Sequence, residues 1–375
     1  MRSCFFAIAA FVLSGLFPAA ASNRCSAVNF RSVLFKSGCA IDGQRISIFR
    51  IPAICRAPNG DLIAAADARY RSSADLHHFQ LIRIAYRRST DEGKTWTPVA
   101  LMHNLRWDET EKQSASDPSF IVDRTTGEIF CFWNSIEWVK KENKGSFYRW
   151  FVQSSRDNGI SWSAPRELSR DLHRAEWTKT SHVFITSGQG TQLADGTLLH
   201  TMVWVEERKG ALFGSADHGR TWRPVGSFYA PADENKVLEL ANGELMVNSR
   251  PPVASLGGRV LHRSADRGAT WTGMVEKALP DPSCNGSVIH FDSLSGRKAL
   301  LFSNCRSDRS RCNISLRVSY DDSRTWNQGV VINPGHCAYS DLVQLKDGDV
   351  GIIYEAFANY EIVFESVKRQ AIESK

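Results

Sequence analysis

The amino-acid sequence predicts an all-β protein folded as one six-bladed β-propeller. An octapeptide that recurs five times, a second series of Gly-containing turns ahead of strand-like runs, and the lack of long helical patterns predict this fold. The composition of 42% hydrophobic and 23% charged residues in a chain of 375 excludes a disordered or collagen-like protein. A net charge of +6 is too small and too dispersed to indicate a nucleic acid or a membrane surface as partner.

The octapeptide has the general form Ser-x-Asp-x-Gly-x-Thr-Trp. Its copies begin at Ser89, Ser155, Ser215, Ser264 and Ser319. The Asp is expected to accept hydrogen bonds from turn amides, the Gly to take a positive φ, and the Trp to pack back under the hairpin. In the last copy Ser323 replaces the Gly. We assign these hairpins no catalytic role.

The spacing of the copies sets the number of blades. Successive Asp residues are 49 to 66 residues apart, which is room for about four strands and their turns, or one propeller blade. Polar turns with Gly precede the strand-like runs 62–64, 130–133, 199–204 and 350–354. The mature length divided by the period gives about six blades.

A secretory signal is predicted at the N-terminus. Arg2 provides a basic start, an apolar run spans Phe5 to Phe17, and Ala19 to Ala21 form a small-residue cleavage site. The run is shorter than the ~20 residues that a membrane-spanning helix needs. We therefore expect residues 1–21 to be removed and residues 22–375 to form a single extracellular propeller domain, with no membrane span and no room for a lectin domain.

The cysteine count agrees with an oxidising compartment. Removing Cys4 with the signal leaves eight cysteines, an even number. Neither a C-x-x-C motif nor a Cys/His cluster with zinc spacing is present, so the thiols are interpreted as structural. From nearness in sequence we expect Cys25 to pair with Cys39 and Cys305 with Cys312.

The segment Phe49-Arg50-Ile51-Pro52, followed by the spaced octapeptides, resembles the secreted exo-sialidases, including their KDN-preferring relatives. The resemblance spans essentially the whole mature chain and implies a six-bladed β-propeller. It also implies that Arg50, Arg250 and Arg311 hold the substrate carboxylate. A sialic acid carries that carboxylate on its anomeric carbon, and the planar, permanently charged fork of Arg suits it. Arg311 is selected from four nearby arginines because it lies just before the strand that leads into an octapeptide.

The same resemblance implies a tyrosine nucleophile, Tyr339 in a Tyr-Ser-Asp-Leu segment. A carboxylate nucleophile would be repelled by the substrate carboxylate, whereas a neutral phenol is not. A phenol with a pKa near 10 needs a base, and Glu234, before Arg250 on an apparently adjacent strand, is assigned that role. Glu239 is the alternative, although its alternating strand pattern is typical of a structural residue.

The remaining site residues also come from the resemblance. Asp75, in the loop before the first octapeptide, is assigned as the acid that protonates the leaving group and as the base that then activates water. Arg69 and Asp117 match positions that contact the O4 and N5 side of the sugar. No metal or organic cofactor is implied.

Taken together, these features predict a monomeric, retaining exo-α-sialidase that acts on sialylated or KDN-bearing glycans. Three alternatives remain open. The enzyme prefers KDN, or it is a trans-sialidase with Trp138 or Trp177 as an aromatic platform for the acceptor, or it is a non-catalytic propeller that binds glycans or proteins. The presence of Tyr339, Glu234 and Asp75 argues against the last alternative.

Overall fold

The computed structural model describes residues 25–78, 80–103, 105, 113–138, 146–178 and 181–374, so the predicted signal at 1–21 lies outside the described residues. Within these ranges the helical elements are α1, Arg369–Glu373, and two 3₁₀ turns, Leu76–His78 and Ala254–Leu256. None of the described helices is long and apolar enough to cross a membrane. Strands make up the rest of the regular structure, which confirms the prediction of an all-β protein.

The strands of the first half of the chain are β1 Val28–Lys36, β2 Ala40–Ile41, β3 Gln44–Arg45, β4 Ile48–Arg56, β5 Leu62–Arg69, β6 Ile82–Ser89, β7 Ala100–Leu101, β8 Ser116–Val122, β9 Ile129–Trp138, β10 Ser146–Ser155, β11 Arg166–Glu167, β12 Val183–Ile185, β13 Gly188–Gln189 and β14 Thr191–Gln192. Those of the second half are β15 Leu198–Trp204, β16 Lys209–Ser215, β17 Arg223–Tyr229, β18 Asn235–Glu239, β19 Leu245–Ser249, β20 Arg259–Ser264, β21 Thr272–Glu276, β22 Ser287–Asp292, β23 Lys298–Cys305, β24 Cys312–Ser319, β25 Val330–Gln344, β26 Val350–Ala356 and β27 Glu361–Val367.

Most strands form antiparallel meanders of four that follow chain order. β4 to β7 and β18 to β21 are two such sheets, and two five-stranded sheets are built around β8–β11 and β15–β17. The seven-stranded sheet, ordered β1-β27-β26-β25-β24-β23-β22, is two meanders joined along the long strand β25. β1 pairs antiparallel with β27, so the N-terminal strand completes the sheet formed by the C-terminal strands.

The central strands are buried on both faces, which explains their sequences. All eight residues of β5, with sequence Leu-Ile-Ala-Ala-Ala-Asp-Ala-Arg, are buried. A strand covered on both sides has no solvent face and so reads as a continuous apolar run rather than an alternating one. Its small alanines contribute to two separate apolar clusters, one on each side of the sheet.

The octapeptides form the predicted hairpins, between the third and fourth strands of their sheets. In the first copy Ser89 Oγ accepts the Gly93 amide at 2.8 Å, and Asp91 Oδ1 accepts the Thr95 amide at 2.8 Å. Gly93 has φ +87°, and the Trp96 indole donates to the Gly93 carbonyl at 2.9 Å. The predicted roles of Asp, Gly and Trp are therefore confirmed in this copy.

The fifth copy shows why a serine can replace the glycine. Ser323 adopts φ +63°, and the preceding Asp322 adopts φ +56°. The Ser323 amide donates to Ser319 Oγ at 2.9 Å, and its hydroxyl accepts from Arg263 Nη2 at 2.9 Å. These contacts hold the residue in the left-handed region at a cost that glycine avoids.

The octapeptide carboxylates predict an acid-sensitive fold. Hydrogen bonds from turn hydroxyls and amides lower the pKa of Asp157 and Asp266 to about 2. At Asp217 desolvation is the largest single effect and raises the pKa, but the turn hydrogen bonds and Arg220 together outweigh it and lower the pKa to about 2. Because these folded-state pKa values lie below the unfolded value of about 3.9, the stabilisation is complete above about pH 4 and is lost as the pH falls towards 2. Urea unfolding at a series of pH values should therefore show the free energy of unfolding falling over this range, with an uptake of about 2 protons from these three carboxylates alone. In Asp157→Asn the pH dependence of the free energy of unfolding should be weaker by up to one proton. An unchanged slope would show that other carboxylates cause the pH dependence.

Candidate active site

Five of the eight residues assigned from sequence, Asp75, Asp117, Glu234, Arg250 and Tyr339, line one cavity of about 250 Å³. Its lining also includes Ile51, and these six residues come from six different stretches of the chain. Among the described lining residues none belongs to an octapeptide, in keeping with a structural role for the hairpins.

A larger cavity of about 550 Å³ lies further along the same inner strands, lined in part by Val237, Leu238, Leu342 and Val343. None of the assigned site residues lines the described part of this cavity. Its walls combine aliphatic residues with Arg, Gln and His side chains and include no carboxylate or tyrosine among the described residues, whereas the smaller cavity gathers the carboxylates, the phenol and a guanidinium group. The chemistry is therefore assigned to the smaller cavity.

The strand register explains why Glu234 and Arg250 are neighbours. β18 and β19 are antiparallel, with Asn235 opposite Ser249. Glu234 immediately precedes β18 and Arg250 immediately follows β19, so both emerge at the same edge of the sheet. The Arg250 amide donates to the Glu234 carbonyl at 2.8 Å. The structure thus has the adjacency on which the sequence assignment of Glu234 depended.

Tyr339, Glu234 and Arg250 form one hydrogen-bonded group. The Tyr339 hydroxyl donates to Glu234 Oε2 at 2.6 Å, and Arg250 Nη1 lies 2.6 Å from the same oxygen and 3.0 Å from the phenol oxygen. Burial and the Glu234 carboxylate raise the pKa of Tyr339 well above its usual value, against the opposing effect of Arg250. The phenol is therefore neutral in the free protein, and Glu234 is already in place to accept its proton.

Two further guanidinium groups flank the phenol ring. The Cζ atom of Arg50 is 5.7 Å from the centre of the Tyr339 ring, and that of Arg311 is 5.5 Å from it. With Arg250 they gather three positive groups around one phenol. Such a cluster attracts an anion and also stabilises a phenolate once the proton has left.

Two residues that orient the arginines were missed by the sequence analysis. The Glu355 carboxylate accepts a hydrogen bond from Arg50 Nε at 2.7 Å. Ser283 accepts two hydrogen bonds: its hydroxyl accepts from Arg250 Nε at 3.1 Å, and its carbonyl accepts from Arg311 Nη2 at 3.0 Å. Glu355 lies in the apolar run Gly-Ile-Ile-Tyr-Glu-Ala-Phe, and a buried carboxylate there requires a cationic partner, so a signal existed. Ser283 gives no comparable signal.

Ile51 occupies a strained backbone position beside Arg50. Its φ is +57°, which is rare for a β-branched residue. The Ile51 amide donates to the same Glu355 oxygen that accepts from Arg50, at 2.8 Å. Glu355 therefore holds both the strained backbone at Ile51 and the orientation of the Arg50 side chain.

Arg69 and Asp75 form an ion pair at the cavity. Arg69 is fully buried and contacts Asp67 Oδ2 at 3.0 Å and Asp75 Oδ1 at 2.7 Å, while the Asp75 side chain is 60% exposed. Partial desolvation opposes ionisation of Asp75, but the charge and hydrogen bond of Arg69 outweigh it and lower the pKa of Asp75. In the free protein Asp75 is therefore ionised.

Asp117 has the opposite electrostatic environment. Removal from water and the nearby carboxylates of Asp67, Glu234 and Asp75 raise the pKa of Asp117 well above its usual value. Its backbone has φ +62°, and its amide donates to Asp67 Oδ1 at 2.9 Å. Two of the carboxyl groups that line the cavity, Asp75 and Asp117, thus have their pKa values shifted in opposite directions, an arrangement typical of functional sites.

A buried polar layer lies beneath this group. Asp341, two residues after Tyr339, is fully buried and accepts from the Ile54 amide at 2.9 Å, Ser287 Oγ at 2.7 Å and Gln189 Nε2 at 3.0 Å. These three donors lie on the strands β4, β22 and β13, respectively. Asp341 therefore ties the strand that carries Tyr339 to its neighbours.

Lys236 lies in the same layer, two residues after Glu234. It is buried, and its Nζ donates to Asn285 Oδ1 at 3.2 Å. Gly188, at φ +100°, makes room for it, since a Cβ there would approach Lys236 Cε to 2.7 Å. A side chain at Gly188 would therefore disturb the layer that supports Glu234.

Two of the sequence alternatives are resolved by position. Glu239 accepts from the Ala194 amide at 2.6 Å and does not line the cavity of about 250 Å³, within the part that the structure describes. Trp177 is buried in an apolar cluster, so its assignment as an exposed platform is wrong. The side chain of Trp138 lies outside the described residues.

The expected cysteine pairs are not present. All eight described cysteines are thiols, and Cys25 and Cys39 belong to different apolar clusters. The register of β23 and β24 places Ile314, not Cys312, opposite Cys305. Nearness in sequence was therefore the wrong criterion for Cys305.

Comparison with known proteins shows the family to which the chain belongs. Residues 60–352 match the family model of the BNR repeat-like domain, so the chain belongs to that family. A sialidase of Micromonospora viridifaciens is 33% identical over 342 residues, covering 84% of this chain and 52% of that protein. A sialidase of Bacteroides fragilis is 28% identical over 353 residues, covering 86% of this chain and 62% of that protein.

Among solved structures, the Hadza microbial sialidase Hz136 superposes with a TM-score of 0.78 at 28% identity, covering 87% of this chain and 67% of that chain. The resemblance to exo-sialidases noted in the sequence is thereby confirmed. The chain spans about half to three-fifths of the length of these two curated relatives.

Proposed function

We propose that this protein is a secreted, retaining exo-α-sialidase, with residues 22–375 forming a six-bladed propeller that removes terminal sialic acid from glycoconjugates. The hydrogen bond from the Tyr339 hydroxyl to Glu234 at 2.6 Å, within a cluster of three arginines, is the observation that carries the proposal. All the groups used in the mechanism below come from one chain, so a monomer suffices. The homologous sialidases support the substrate class.

The cluster of Arg50, Arg250 and Arg311 receives the substrate carboxylate. Because this carboxylate is bonded to the anomeric carbon, C2, its capture brings C2 next to the phenol oxygen of Tyr339. The rest of the sugar then extends along the cavity towards Asp117 and Arg69. Each charge-assisted hydrogen bond to the carboxylate contributes about 1.5–3 kcal/mol.

The reaction has two displacements at C2. In the first, the Tyr339 oxygen attacks C2 while Glu234 takes the phenol proton, and the glycosidic oxygen leaves with a proton from Asp75. In the second, water attacks C2 as Asp75 takes one of its protons, and Tyr339 leaves with the proton returned by Glu234. Two inversions give net retention, and the residues named carry every proton transfer.

Binding of the substrate prepares Asp75 to act as an acid. In the free protein Arg69, with a contribution from Arg50, keeps the pKa of Asp75 low. A bound carboxylate offsets the positive field of Arg50, and the sugar excludes water from the cavity. Both effects raise the pKa of Asp75 in the complex, so that it is protonated when the bond breaks.

The far wall of the cavity faces the sugar's C5 side in this pose and includes Tyr148, His182, Phe184 and Val205. The Tyr148 and His182 rings stack with centroids 4.4 Å apart. These residues contact the group at C5, which is an N-acyl group in N-acetylneuraminic acid and a hydroxyl in KDN. KDN preference therefore depends on this wall.

The proposal is tested by turnover of paired umbelliferyl glycosides of N-acetylneuraminic acid and KDN. Hydrolysis of either glycoside is expected, abolished by Glu234→Gln and retained by the matched control Glu239→Gln. Folded protein that hydrolyses neither would contradict the enzymatic function. Binding of sialylated glycans without hydrolysis would instead support the non-catalytic alternative.

The acid role of Asp75 predicts a substrate-dependent loss. Asp75→Asn should slow cleavage of sialyl-lactose by orders of magnitude, because a sugar alkoxide needs a proton to leave. Release of nitrophenol or umbelliferone should slow much less, since these groups depart with little help. Pre-steady-state release of the leaving group is the measurement, because Asp75 also acts in the second step and steady-state rates mask the difference. Equal losses for both substrates would contradict the acid role of Asp75 and make Asp117 the next candidate for the acid.

A further inference from the structure

Three buried thiols lie together close to the cavity. Cys284, Cys305 and Cys337 have no exposed surface and belong to the apolar cluster that also contains Tyr339. Cys305 Sγ is 3.9 Å from Cys337 Sγ and 3.6 Å from the carbonyl oxygens of Cys337 and Ala338. The nucleophile assigned above follows two residues after Cys337.

The contact between Cys305 and Cys337 does not follow from ordinary strand pairing. Cys305 ends β23 and Cys337 lies in β25, with β24 between them. β25 has register irregularities in its pairing with β24 and again between Cys337 and Ser340 in its pairing with β26. This irregular stretch of β25 brings Cys337 close to the end of β23.

We propose that Cys305 and Cys337 form a disulfide bond in the mature protein, and that this cross-link holds the segment that carries Tyr339. The bond rests on the proposed secretion into an oxidising compartment and is independent of the proposed reaction. The two sulfurs lie 3.9 Å apart and must approach by about 1.9 Å to reach the ~2.05 Å of a disulfide. Both cysteines belong to an apolar cluster that also contains Ile314 and Ala338.

Cys284 is the less suitable partner because its backbone is fixed elsewhere. Its amide donates to Asp281 Oδ1 at 2.8 Å, and its carbonyl accepts from Arg259 Nη1 at 2.8 Å. Asp281 and Arg259 are themselves a fully buried ion pair. Movement of Cys284 towards Cys305 would also shift Ser283, which orients Arg250 and Arg311.

The bond must form before the sheet closes. The neighbouring thiols of Cys284 and Cys337, together with burial, raise the pKa of Cys305, which suppresses the reactive thiolate in the folded protein. During folding, one cysteine thiolate attacks a disulfide donor of the exporting compartment and releases one donor thiolate. The second cysteine thiolate attacks the mixed disulfide and releases the other. Two cysteine thiols are thus oxidised, and the donor disulfide is reduced to two thiols.

Tryptic mapping tests the pairing directly, since each relevant cysteine lies on its own peptide. Cys284 falls in 278–297, Cys305 in 299–306, Cys312 in 312–317 and Cys337 in 325–346. The protein is produced with its own signal in an exporting host, its thiols are alkylated under denaturing conditions without reductant, and it is digested at mildly acidic pH. We expect a species joining 299–306 to 325–346 that disappears on reduction. Alkylated thiols at both positions, or a link from 299–306 to either other peptide, would overturn the proposal.

A pair of variants tests the structural role. Cys305→Ala should lower Tm by about 5 °C relative to the oxidised protein, whereas the matched control Cys312→Ala, whose thiol lies near the Ser310 hydroxyl, should leave Tm unchanged. Reduction of the unfolded protein, followed by refolding in reductant, should lower the Tm of wild type to that of Cys305→Ala and leave the variant unaffected. Equal Tm values for oxidised and reduced wild type would contradict the stabilising role, and the peptide map gives its answer even if Cys305→Ala fails to fold.

Discussion

Tyr339→Phe is expected to lower kcat by about 10³-fold or more while the protein stays folded. The substitution removes the oxygen that would bond to C2 and leaves the ring between Arg50 and Arg311 in place. Because those arginines still bind the carboxylate, KM should change much less than kcat. Steady-state hydrolysis of an umbelliferyl sialoside gives both constants.

A second tyrosine provides the matched control for this variant. Tyr354 is also buried, and its hydroxyl donates to Glu365 at 3.1 Å, but it does not line the described part of the cavity. Tyr354→Phe should therefore keep near-native kcat with a modest loss of stability. A Tyr339→Phe variant with native kcat would show that the phenol oxygen is not the nucleophile.

Arg250→Lys is expected to lower kcat/KM by about 10²-fold, although the charge is conserved. The Arg250 guanidinium contacts Glu234 and Tyr339 through Nη1 and Ser283 through Nε. A lysine ammonium is a single point of charge and cannot make these contacts and a bond to the carboxylate together. Loss of one or two charge-assisted bonds of about 1.5–3 kcal/mol corresponds to this factor.

Arg263→Lys is the control for Arg250→Lys. Arg263 lies on β20, partly exposed, where it contacts Glu244 at 3.5 Å, and it is not among the described residues that line the cavity. The control should keep native kinetics. Near-native kcat/KM for Arg250→Lys would show that Arg250 does not bind the substrate carboxylate. It would also contradict the assignment of Glu234, which depends on the adjacency of the two residues.

The all-β fold was predictable because its signals are local. The octapeptides specify hairpins through hydrogen bonds within eight residues, as Asp91 and Gly93 show. The parallel pairing of β13 with β8 and the joining of two meanders along β25 depend on contacts between distant segments. Local sequence patterns do not indicate contacts between distant segments, so the sequence did not predict them.

The candidate site was predictable only where a motif surrounds the residue. Arg50 and Tyr339 lie in recognisable segments, and the structure places the Arg50 guanidinium carbon 5.7 Å from the centre of the Tyr339 ring. Glu355 and Ser283, which orient the arginines, come from separate strands or turns and touch the site only after folding. The predicted pairing of Cys305 with Cys312 was wrong for the same reason. Cys305 contacts Cys337, which lies beyond an intervening strand.

The anomer released first by the wild-type protein tests the central claim most directly. A covalent bond between Tyr339 and C2 requires two displacements, so hydrolysis must proceed with retention. Proton NMR during the first minutes of hydrolysis of an α-sialoside should show the α-anomer of the free sugar, which then converts to the β-anomer by mutarotation. Initial release of the β-anomer would mean a single displacement by water and would contradict the Tyr339 mechanism.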